Sequence, residues 1–129
     1  MNITRTEVEA YLEDVKEAVN ADRYRIEMNE NRQDNQNLII EYVISEEKRK
    51  QILLSLTAAD FSEIRHNTHK GYEHELLYIF GKDVKLLHRF TSGEEQVPLY
   101  IKINKLESSY IIVISFHKQK YPLSYNFCR

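Results

Sequence analysis

Residues 109–127, SYIIVISFHKQKYPLSYNF, hold the plainest pattern in the chain. Ile111, Ile112, Val113 and Ile114 are four β-branched residues in succession and read as a buried strand. The strand runs out in Phe116, His117 and Lys118, and Tyr-Pro-Leu-Ser-Tyr follows at residues 121–125. A histidine at the end of a core strand, with aromatics just beyond it, is either the rim of a site or an ordinary strand exit. The residues across the strand decide between the two.

Residues 97–105 read as the partner strand, with residues 105–109 as the connecting hairpin. Strand side chains alternate, so Leu99, Ile101 and Ile103 share one face and Tyr100, Lys102 and Asn104 share the other. In the last strand, the same alternation groups Tyr110, Ile112, Ile114 and Phe116 against Ile111, Val113, Ser115 and His117. Tyr100 and His117 stand seventeen positions apart. An even-length loop without a bulge sets Tyr100 across from His117 and Lys102 across from Ser115. That face then carries a phenol, an ammonium, a hydroxyl and an imidazole. The imidazole can move a proton near neutral pH, the lysine can steady an anionic transition state, and the tyrosine can bond a phosphate or stack on a base. The competing reading is a solvated sheet face with scattered polar groups.

The rest of the chain supplies helices first and strands later. Thr4-Arg-Thr-Glu7 is a capping box, and Val8, Tyr11, Leu12, Val15, Ala18 and Val19 follow as one helical stripe. Residues 24–28 alternate as a short edge strand, and residues 32–42 read as a short helix after a polar run rich in Asn and Gln. Ser45 caps another helix with Ile52, Leu53 and Leu56 inward. Thr57-Ala-Ala-Asp60 starts a further helical turn that Phe61 and Ile64 anchor. Residues 65–73 read as a loop, residues 75–80 as a strand closed by Gly81, residues 84–87 as another short piece, and residues 91–96 as a turn. The expectation is one α+β domain over residues 1–129, with N-terminal helices packed on a twisted antiparallel sheet.

Composition narrows the function classes. No apolar run approaches the ~20 residues that span a bilayer, and the charged start of the chain lacks the apolar stretch of a signal peptide. The single cysteine, Cys128, has no partner within the chain, so a reducing cytoplasm is the expected compartment. Three glycines form no phosphate-cradling loop, and no cofactor is expected. His66, His69 and His74 are too loosely spaced, with no cysteine near, to read as a zinc site, and no metal is expected. Net charge is −2, unevenly spread. Residues 1–63 hold eight Lys/Arg against fourteen Asp/Glu, giving −6; residues 64–129 hold ten against six, giving +4. The basic half permits a polyanion site, and a solubilising scatter of charge is the simpler explanation of it. The acidic face of the first helix, with Glu9, Glu13, Asp14 and Glu17, reads as a solvated face.

Several segments stand in the order of a known family: VKEAVNADRYRI, then ILLSLTAADF with its Leu-Thr-x-x-Asp-Phe signature, LYIFGK, LYIKINKL, and IIVISFHKQKYPLSYNF. In this the chain resembles the MqsR-type toxins of bacterial toxin–antitoxin systems, within the wider RelE-like group of messenger-RNA endonucleases. The resemblance covers most of the chain and is most specific in the last third. It implies a small α+β fold of RelE-like type and metal-independent cleavage of RNA by attack of the ribose 2′-hydroxyl. It also implies a cognate antitoxin as protein partner. The resemblance implies functional roles for Tyr100 and for the position of His117; with Lys102, which the strand spacing puts on the same face, these are the candidate catalytic residues, and Arg65, His66, Lys82, Arg89, Lys118 and Tyr121 are the candidate RNA contacts. The chain departs from the family where Glu63 stands after the Asp-Phe signature and where residues 78–80 offer no glutamine. The second function class is an RNA- or protein-binding module on the same scaffold that lacks catalysis. Tyr121 and Tyr125 either stack on nucleotides or fold back onto the domain. Leu123 and Phe127 are expected to fold back, with Pro122 fixing the turn.

Overall fold

The computed structural model describes residues 2–127, so Cys128 lies outside the described residues. Thr4 caps helix α1 (Arg5–Asn20): its hydroxyl accepts from Glu7 N, and the Glu7 carboxylate accepts from Thr4 N. The stripe from Val8 to Val19 is buried on one face. Strand β1 (Tyr24–Ile26), helix α2 (Gln33–Glu41), the two-residue strand β2 (Tyr42–Val43) and helix α3 (Glu46–Leu54), with Ser45 as its cap, follow. The polar run before and within α2 is a set of backbone ties. Asn29 Oδ1 accepts from Asn31 N, and Gln36 Nε2 donates to the carbonyls of Met28 and Asn29.

Two expectations are corrected here. The Thr57 capping box starts only a 3₁₀ turn at Ala58–Asp60, after which the chain enters strand β3 (Phe61–His66). Phe61 and Ile64 anchor a strand, not a helix, and Arg65 and His66 belong to it and not to a loop. A bulge between Phe61 and Glu63 shifts the alternation, so Phe61 and Ile64 both lie on the core side of the sheet, opposite Phe80 and Tyr78. Second, Gly81 does not close a strand. β4 (Leu76–His88) runs through it without a break, joining two pieces expected to be separate. Gly81 is glycine because residues 119–125 cross directly over it. A Cβ there would strike Tyr125 Oη, Leu123 Cδ1 and Gln119 Nε2.

Strands β5 (Glu94–Lys105) and β6 (Ile111–Lys118) complete a six-stranded, curled, mostly antiparallel sheet that makes half a barrel. The order is β1-β6-β5-β4, with β2 and β3 sharing the outer edge of β4 and β1 parallel to β6. The architecture is α+β as expected. Helix α1 and the apolar side chains of α2 and α3 cover one sheet face, where Phe61, Phe80, Leu99, Ile101, Ile103, Val113 and Phe116 are fully buried. The other face carries the polar residues discussed below.

The register of the β5–β6 hairpin puts Tyr100 opposite His117 and Lys102 opposite Ser115, as expected, but for a different reason. The loop, residues 106–110, has an odd length, and near it Lys105 pairs with Ile111 and Ile103 with Val113. A β-bulge then sets Ile114 and Ser115 against Lys102 and advances the register by one. The bulge also redistributes the faces of β6. Ile111, Val113 and Phe116 are buried in the core, while Ile112, Ile114, Ser115 and His117 lie on the far side. The strict alternation expected for residues 110–117 is therefore overturned.

Asn35 holds the bulge. Its side chain is 1% exposed and fully engaged: Oδ1 accepts from Phe116 N at 2.8 Å, and Nδ2 donates to the carbonyls of Ile114 at 2.9 Å and Glu27 at 2.8 Å. The Ile114 carbonyl and the Phe116 N–H flank the bulge, and the Glu27 carbonyl follows the end of β1. Replacing Asn35 with Ala leaves a buried N–H and two carbonyls without partners. Asn35→Ala should lower unfolding free energy by about 3 kcal/mol in a urea titration. Gly81→Val should dislodge the tail without breaking the strand. Trypsin should then cut at Lys118 or Lys120 in the folded variant faster than in the parent.

Candidate functional site

The far face of the sheet is built from alternate residues of four strands: Glu63 and Arg65 of β3, Ile79 and Gly81 of β4, Tyr100 and Lys102 of β5, and Ser115 and His117 of β6. Tyr100 and His117 are stacked, with ring centroids 5.2 Å apart and planes 10° from parallel. His117 Nδ1 lies 2.7 Å from the carbonyl oxygen of Lys118. A carbonyl only accepts, so Nδ1 carries the hydrogen, and in the neutral ring Nε2 keeps its lone pair. The backbone thus fixes the tautomer and the tyrosine fixes the ring plane. This answers the strand-exit question: His117 turns back onto its own strand end and forms the shared wall of three small adjoining hollows.

One of these hollows, about 200 Å³, lies between Tyr100, Lys102, Ser115, His117, Lys120 and Tyr121. A second, about 140 Å³, runs from Ser115 and His117 to the N-terminal turn of α2 at residues 31–35. Both are smaller than a typical ligand pocket and suit a phosphate or sugar better than a whole nucleotide.

Lys102 is partly buried and its ammonium makes no hydrogen bond or ion pair among the described residues. Burial first, then the neighbouring guanidinium groups of Arg32 and Arg65, hold its pKa below the ordinary lysine value. Burial, with a smaller contribution from Tyr121, raises the Tyr100 phenol above the ordinary tyrosine value, so it stays protonated at neutral pH. The face therefore offers a phenol donor, an unpaired ammonium, a guanidinium and an imidazole with a defined free nitrogen.

The candidate RNA contacts divide. Arg65 and Tyr121 lie within electrostatic reach of Tyr100, although Arg65 Nε is tied to Glu63 Oε1 at 2.6 Å. The other four are not brought to this face. Lys82 bonds Asp60, which is 6% exposed, at 3.0 Å. Arg89 closes the C-terminal end of α2, donating to the carbonyls of Ile39, Ile40 and Tyr42. Lys118 bonds Glu41 at 3.0 Å and sits over the Tyr42 ring. His66, one position beyond Arg65, lies on the other side of its strand and meets the carbonyl of Glu73. Of the tail, Tyr121 is exposed at the site, Tyr125 crosses Gly81, and Phe127 stacks on Phe61 against the core.

Sequence reasoning missed Arg32. It lies in the acidic half, in the polar run before α2, and only the packing of α2 across β6 carries it to Lys102. Its side chain makes no ion pair among the described residues. No family model, no curated protein and no solved structure matches this chain.

An ammonium held without a partner beside two guanidinium groups costs stability, and an apolar side chain of similar length removes that cost. Lys102→Met should raise unfolding free energy by on the order of 1 kcal/mol at pH 7. The folded pKa of Lys102 is below its unfolded value, so between the two the unfolded chain binds more protons and stability rises with pH. The advantage of the variant should shrink across that window in denaturation curves taken from pH 7 upward.

Proposed function

We propose that this protein is a metal-independent endoribonuclease of MqsR-type, RelE-like character. It acts on messenger RNA in the bacterial cytoplasm and is neutralised by a cognate antitoxin. The observation that carries the reading is the Tyr100–His117 stack, with its fixed tautomer, beside the unpaired Lys102. The family resemblance supplies the substrate and the partner.

In this mechanism His117 Nε2 takes the proton of a ribose 2′-hydroxyl as its oxygen attacks the adjacent phosphorus. The O2′–P bond forms and the P–O5′ bond breaks. Lys102 and Arg32 hold the added charge on the non-bridging oxygens. Lys102 releases its proton more readily than a solvated lysine and supplies it to the departing O5′. Tyr100 donates to a phosphate oxygen and keeps the imidazole plane fixed. The products are a 2′,3′-cyclic phosphate and a 5′-hydroxyl.

The second reading, a binding module without catalysis, draws on the Glu63–Arg65 bond, which takes one cation out of the face. Incubation of the purified protein with mixed RNA in EDTA separates the two. The parent should produce fragments ending in 2′,3′-cyclic phosphate, and His117→Ala should lose about a hundredfold or more of that rate. Equal cleavage by both proteins removes His117 from the chemistry. Retention of RNA by the parent without cleavage favours the binding module.

A further inference from the structure

Beside the Tyr100–His117 face lies a larger hollow, about 730 Å³, that the proposed chemistry does not use. Its floor is the same sheet face: Asn104 of β5 with Ile112 and Ile114 of β6. Its rim comes from residues 27–32 and from the 67–75 loop between β3 and β4. Arg32 lines this hollow and also the one that reaches His117, so the two meet at a cation. Asn104 is two residues along β5 from Lys102, or about 7 Å on the same face.

Glu75 stands in this hollow, on the chain just before β4. It shares the face of Leu77, the residue paired with Asn104. Two amides hold one of its carboxylate oxygens: Asn67 Nδ2 donates to Oε1 at 2.9 Å and Asn104 Nδ2 donates to Oε1 at 3.0 Å. Asn104 is buried, so this clamp is rigid. Oε1 is satisfied and the carboxylate plane is fixed, while Oε2 makes no hydrogen bond among the described residues. An oriented acceptor beside an apolar strip, in a groove edged also by Arg32, Lys70 and a Glu27 carboxylate already engaged by Arg25 and Asn29, has the parts of a base-reading site. Ile112 and Ile114 can cover the flat face of a base, and Oε2 can accept from its edge.

We propose that this hollow takes one unpaired RNA base next to the scissile phosphate, and that Glu75 selects bases carrying amino donors over uracil. The choice of RNA rests on the function proposed above. Guanine fits best, because its N1–H and N2–H donors lie side by side and can both converge on the one free oxygen, Oε2. Uracil fits worst, because its single N–H is flanked by two carbonyls that a carboxylate repels.

The test uses 2′-O-methyl RNA hexamers that differ at one base and cannot undergo 2′-hydroxyl attack, so binding is read without cleavage. In fluorescence anisotropy the parent should bind the guanine hexamer on the order of tenfold tighter than the uracil hexamer. Glu75→Gln keeps an Oε1 for both amides but turns the free oxygen into a donor, and the preference should move towards uracil. Lys102→Ala should weaken all hexamers alike. Equal affinity for all bases in the parent, or an unchanged preference in Glu75→Gln, overturns the proposal. If the parent discriminates but leaves unmethylated RNA intact, the nuclease reading falls and the pocket stands. Cleavage with no base preference gives the reverse. No binding of any hexamer overturns the pocket, and together with no cleavage of unmethylated RNA it overturns both.

Discussion

The candidate site depends on the side chain of Asn35. Three hydrogen bonds tie α2 to the backbone of β6 and to Glu27, and they do so where the β5–β6 ladder is interrupted. Without the bulge, the odd-length loop would carry the register near the turn along the whole hairpin. Tyr100 would then lie opposite Phe116, and the imidazole would move to the core side. With the bulge, Phe116 enters the core while Ser115 and His117 stay out of it. The same amide brings the start of α2 over β6, which places Arg32 near Lys102.

The electrostatics of the molecule follow a division of labour between paired and unpaired cations. Lys82, Arg89, Lys118 and Lys120 are engaged by Asp60, by the carbonyls ending α2, by Glu41 and by Asp34 respectively. These contacts fasten loops and helix ends to the sheet. Lys102 and Arg32 are left without counter-charges on a partly desolvated face, an arrangement that folding alone gives no reason to keep. In the adjoining hollow the pattern reverses, with Glu75 clamped by two amides and one of its carboxylate oxygens left open.

Much of the fold was legible because it rests on local signals. The Thr4 capping box, the α1 stripe, the Ser45 cap and the β-branched run of β6 all became the elements they suggest. Misreadings arose where the local signal was genuine but another force prevailed. The Thr57 box did form, yet it yielded only one 3₁₀ turn because Phe61 was needed opposite Phe80. Gly81 looked like a strand end, yet its missing side chain makes room for a chain segment about forty residues further on. The summed charge of the basic half indicated a polyanion site but not which cations serve it, since pairing is a property of contacts and not of composition.

Taken by itself, the sequence determined the α+β class, the helical caps and the alternation that separates Leu99, Ile101 and Ile103 from Tyr100, Lys102 and Asn104. These depend on residues within a few positions of one another, where periodicity and capping act directly. Only the tertiary structure decided that His117 faces Tyr100 through a bulge, that Arg32 joins Lys102, and that Glu75 is held by Asn67 and Asn104. Each of these joins residues far apart in the chain. Their meeting is fixed by register, and register here is set by one buried amide that saturates its hydrogen bonds in a single arrangement.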